Sequence, residues 1–104
     1  MTTWMRCHWD EEDLWFYFEV DAEGWVIRQV ELEGPELIPI AAASLAEWQG
    51  ARDAGRRDED DGRFGITAEL PVSEWEGHDP EQLTVEEFEE VWASARRRIV
   101  SRPI

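Results

Sequence analysis

Lysine and asparagine are absent from this chain of 104 residues, and cysteine occurs once. A single cysteine excludes an internal disulfide framework and any multi-cysteine zinc site. No apolar run approaches the roughly 18 residues of a membrane-spanning helix. The opening stretch, MTTWMRCHWDEED, has no basic flank leading into an apolar segment. No secretory signal is therefore expected, and the expected compartment is the cytoplasm. Positive charge is scarce too: ten arginines face 25 acidic side chains, for a formal net charge of −15. Such a chain repels phosphate backbones and anionic lipid, so neither nucleic acid nor membrane is an expected partner. The one basic cluster of note, Arg96, Arg97, Arg98 and Arg102, reads as a helix C-terminus complementing the macrodipole. Arginine in place of all lysine fits a GC-rich genome, adaptation to high salt, or avoidance of lysine modification.

Apolar and aromatic residues are plentiful. Hydrophobic residues make up 42% of the chain and seven are Trp, too many for a disordered chain despite the charge. The length predicts a single α+β domain over residues 1–104, burying about 65% of the unfolded chain's surface.

Residues 2–9 and 14–20 read as strands, the second rich in aromatics, joined by the polar turn Asp10–Asp13. Asp21 to Gly24 reads as a tight turn with Gly24 at positive φ. Residues 25–33 form a third strand, with Val26, Arg28, Val30 and Leu32 on one face. These short connections predict an antiparallel meander. Gly34-Pro35 stops it, and residues 36–40 are extended at best because Pro39 cannot donate to a ladder. Ser44 to Glu47 fits a capping box, opening a short helix to about Ala54 with Gly55 as its cap. Residues 56–63 read as a charged loop, 64–70 as a fourth strand, and Pro71–Pro80 as irregular around Trp75. Thr84 to Glu87 is a second capping box, and Val85, Phe88, Trp92, Ala95 and Ile99 share one helical stripe. The expected fold is α+β: an antiparallel sheet of three to four strands, one short helix, and a longer C-terminal helix over about 85–98 packed on it.

The chemistry-bearing residues do not assemble into a catalytic or metal motif. Cys7 and His8 are neighbours on a strand and point to opposite faces, and His78 lies far along the chain. The Asp58–Asp61 run fails as a calcium loop, because Arg63 stands where glycine is required. There is no nucleophile elbow, P-loop or dinucleotide fingerprint. No cofactor, no metal and no enzymatic activity is expected. Glu19, Glu31, Glu33 and Glu69 sit unexpectedly within predicted strands, and any one could occupy a pocket with a raised pKa.

Aromatics crowd the first 25 residues, and both faces of the second strand carry large rings. Either the sheet is covered on both sides or one aromatic face is open to a partner. Acids flank these rings. The expected partner-binding residues are Glu11, Glu12, Asp13, Trp15 and Trp25, with Asp58, Glu59, Asp60 and Asp61.

The strings LWFYFEVDAEGWVIRQVEL, AASLAEW, VSEWEG and EEFEEVW resemble small acidic proteins of high-GC actinobacteria. Those proteins pair an N-terminal aromatic meander with an E-E-F-E-x-x-W helix near the end. The resemblance covers about residues 4 to 98 and implies no catalytic residue. It implies a role of the immunity-protein kind. The expected function is thus a non-enzymatic acidic module, an immunity or inhibitor protein neutralising a basic protein partner. That partner would be a toxin, such as a nuclease, or a nucleic-acid-binding protein. The alternatives are a binder of a small sugar-like molecule (or small enzyme) using an aromatic pocket and a carboxylate, and a homodimeric subunit. Monomer and homodimer both remain open.

Overall fold

The computed structural model describes residues 2–65, 67 and 80–101. Strands β1 (Thr3–Trp9), β2 (Leu14–Val20), β3 (Val26–Glu33) and β4 (Ile38–Ser44) follow one another as an antiparallel meander. Helices α1 (Leu45–Asp53) and α2 (Arg57–Phe64) come next, then the two-residue β5 (Glu81–Gln82) and helix α3 (Val85–Val100). The sheet order is β4-β3-β2-β1-β5, and α3 lies across one face. The protein is α+β, as expected, with five strands and one helix more than the sequence suggests. Among the described residues no helix is long and apolar enough to cross a membrane.

Alternation along β2 builds two cores. Tyr17 joins Val30, Leu32 and Ala42 beneath Phe88, Ala95 and Ile99 of α3. Phe18 joins Cys7, Val20 and Val26 on the opposite face. Both sets are buried, but on that opposite face Phe16, stacked on Phe18, is only half-buried, and Trp9, paired with Leu14, is exposed. Helix α3 starts where its caps dictate. The Thr84 hydroxyl accepts from the Glu87 N–H at 3.1 Å, and the Glu87 carboxylate accepts from the Thr84 N–H at 3.2 Å. Leu83 packs against the same core as Phe88, completing the staple.

Four expectations need correction. Val26 does not share a face with Val30 and Leu32: the register slips between Glu19 and Val20, skipping Ile27, and turns Val26 to the Phe18 side. Residues 38–44 are a full strand despite Pro39, because β4 is an edge strand where a missing N–H is tolerated. Residues 57–64 are a helix rather than a loop. Acids in its first turn favour the positive end of the dipole, and Phe64 packs on the core. Phe64 therefore ends α2 instead of opening a strand, while most of 66–70, and Trp75, lie outside the described residues.

Candidate functional site

Two turns meet at one end of the sheet. In the β1–β2 turn the Asp13 N–H donates to the Asp10 carbonyl, and Asp13 takes φ +50°. In the β3–β4 turn the Leu37 N–H donates to the Gly34 carbonyl at 3.1 Å. A bond from the Gly34 N–H to the Asp13 carbonyl, 2.9 Å, places the turns side by side. Asp10, Glu11, Glu12, Asp13, Glu33 and Glu36 are all exposed there. His8 lies between Asp10 and Asp13, its ring nitrogens 2.9 and 3.0 Å from their carboxylates, and stacks on Trp15. No arginine of the described residues pairs with Glu11, Glu12, Glu33 or Glu36. Apolar surface accompanies the acids: Trp9, Leu37 and Ile38 are 44%, 42% and 41% exposed.

The residues singled out from sequence separate into three places. Glu11, Glu12 and Asp13 form the turn just described, and Trp15 is half-buried beside it under Arg6. Trp25 lies at the other end of the sheet, about 20 Å away along the strands. There the Asp21 carboxylate accepts from the Glu23 and Trp25 N–H groups, both at 2.9 Å. Trp25 is 40% exposed. Asp58, Glu59, Asp60 and Asp61 lie in α2, which packs against α1 and β4. Glu36 and Leu37 were not among the expected site residues, and Glu33 was expected only as a strand glutamate. Their signal was the string ELEGPEL, in which acids flank a Gly-Pro stop and so sit in a turn; Trp9, one of the N-terminal aromatics, carried no such signal.

A groove of about 470 Å³ opens next to the acidic turns, between α3 and the sheet. Its floor is Tyr17, Leu32 and Pro39, and its walls carry Glu36, Glu87 and Glu90 with Arg6 and Arg98. The sugar-binding alternative asks for an indole and a shielded carboxylate in one hollow. Among the described residues this groove is lined by no Trp, and its three carboxylates are exposed.

The strand carboxylates divide by environment. Glu19 is held below the usual carboxylate range by the guanidinium of Arg28, at 2.6 and 2.9 Å, and by the Trp4 indole N–H. Arg28 also pairs with Glu89 and is itself held above its ordinary value, chiefly by Glu19. Glu31 is pushed up by burial, against a hydrogen bond from Gln29. It stands opposite Phe16 and Ala41 and does not line the groove. Glu33 is exposed, and Glu69 lies outside the described residues. Among the described residues no group of three potential ligands is arranged to hold a metal.

Comparison with known protein families, curated proteins and solved structures found no match to this chain.

Proposed function

We propose that this protein is an acidic binding module that captures a basic protein partner in the cytoplasm, in the manner of an immunity or inhibitor protein. The observation that carries the reading is the pair of joined turns. There Glu11, Glu12, Glu33 and Glu36 have no arginine partner among the described residues, while Trp9, Leu37 and Ile38 stand exposed beside them. Unpaired carboxylates speed encounter with a positive surface, and the apolar residues slow its release. A nuclease-type toxin, whose basic groove grips phosphate, presents such a surface.

A pull-down from native lysate at low salt, followed by affinity measurement on the purified complex, tests the reading. The recovered protein should be basic, and the complex should weaken by about tenfold or more between low and moderate ionic strength. An acidic partner, or a complex indifferent to salt, would contradict it.

A further inference from the structure

We propose that the groove between α3 and the sheet receives one arginine or lysine side chain, presented by an extended segment of the basic partner. This rests on the reading above and adds the point at which a single side chain is recognised. The apolar floor of Tyr17 and Leu32 suits the methylene stem of a long cationic side chain. The charged head then meets Glu36, Glu87 and Glu90. Arg6 does not oppose it, because its guanidinium is already 2.7 Å from the Glu81 carboxylate and donates to the Tyr17 hydroxyl at 3.4 Å. Glu87 keeps one oxygen on Thr84 as part of the helix cap, which leaves the other for a ligand. Arg98 is the one groove arginine without an ion-pair partner among the described residues. Three carboxylates thus face a single uncommitted guanidinium, and a cation is the favoured guest. Arg98 can donate to backbone carbonyls of the incoming segment.

Leu37 adds an independent sign. It lines the groove, is well exposed, and is held at φ +53°, where a side chain with a Cβ is strained. The 42% of its surface that stays open faces solvent in the free protein. Placed at the mouth of the groove, it can cover the stem of the inserted residue. The volume falls within the range of about 300–1,000 Å³ usual for ligand clefts.

Amide chemical-shift mapping tests the proposal. The probes are a blocked Gly-Gly-Arg-Gly-Gly peptide and its citrulline counterpart, which keeps the shape and loses the charge. The arginine peptide should produce saturable shifts at Leu32, Val91 and Ser94, and the citrulline peptide should bind at least about fivefold more weakly. Glu36→Gln/Glu90→Gln should weaken the arginine peptide by about tenfold, while Glu23→Gln, at the other end of the sheet, leaves it unchanged. All three positions are exposed, and an unaltered spectrum of the free variants confirms folding. Shifts confined to the Asp10–Asp13 turn would overturn the groove assignment and leave the general reading standing. So would equal binding of the two peptides. No shift anywhere, joined with no basic protein in the pull-down, would overturn both.

Discussion

The α3–sheet interface and the turn end of the sheet treat charge in opposite ways. Under α3, two arginines are matched on several sides. Arg28 forks onto Glu19, pairs with Glu89, and lies 4.9 and 5.0 Å from the rings of Phe88 and Trp92. Arg96 donates to the Ala42 carbonyl and to Glu47, with Phe64 and Trp92 against its guanidinium. At the turns, six carboxylates stand in water with only His8 among them. The difference shows where a chain of net charge −15 puts its few cations. Arginine fastens the helix to the sheet, where partial burial strengthens each contact. The surplus of acid is left at the turns, where solvent screens it and where a partner can reach it.

The sharpest way to break this comparison is Arg28→Ala. Removing the guanidinium strands Glu19, whose side chain is only 13% exposed, and should cost about 3 kcal/mol in urea unfolding. Glu12→Gln in the turn should change stability by less than about 0.5 kcal/mol. Equal effects at the two positions would erase the distinction. Leu37→Gly comes next: relief of the left-handed backbone offsets the loss of the partly buried side chain, so stability should change by less than about 1 kcal/mol while the partner complex weakens. Unchanged affinity would remove Leu37 from the binding surface.

The acid limb of stability sharpens the same contrast. Glu19 is depressed in the folded state by Arg28, so its contribution is present above the unfolded value of 4.5 and lost as pH falls through the lower folded value. Titrating urea stability downward from pH 5 should show this loss in the parent and not in Arg28→Ala. Glu31 has the opposite sign. Burial raises its folded value, so its favourable contribution is present below 4.5 and disappears as pH rises through the folded value. Glu31→Gln should therefore gain stability at neutral pH, by the smallest margin of this set, and the gain should vanish in acid. A constant gain across the titration would show that desolvated charge is not the cause.

Much of this frame was legible from local patterns. Thr84-Val85-Glu86-Glu87 and the Phe88–Trp92–Ile99 stripe specify α3 without help from the rest of the chain. Gly24 at φ +89° closes the β2–β3 hairpin as its position demands. Long-range pairing was not legible. The alanines of β4 have weak strand propensity, and they become a strand only because β3 offers its edge and α3 covers Ala42. Nor does sequence show that Gly34 bonds to Asp13, which is what joins two acidic turns into one surface. Trp15, Trp25 and the Asp58–Asp61 run are scattered by the elements that carry them. The length of β2 parts Trp15 from Trp25, and the Asp58–Asp61 run sits on a helix against α1 and β4.

The most direct measurement is the association rate of the basic protein recovered by pull-down, taken with the parent chain and with Glu11→Gln/Glu12→Gln at about 20 and about 200 mM salt. The rate should drop by about tenfold with salt for the parent, and the turn variant should be slower at low salt and less sensitive to its increase. Identical rates and identical salt slopes for the two proteins would contradict a partner drawn in by the acidic turns.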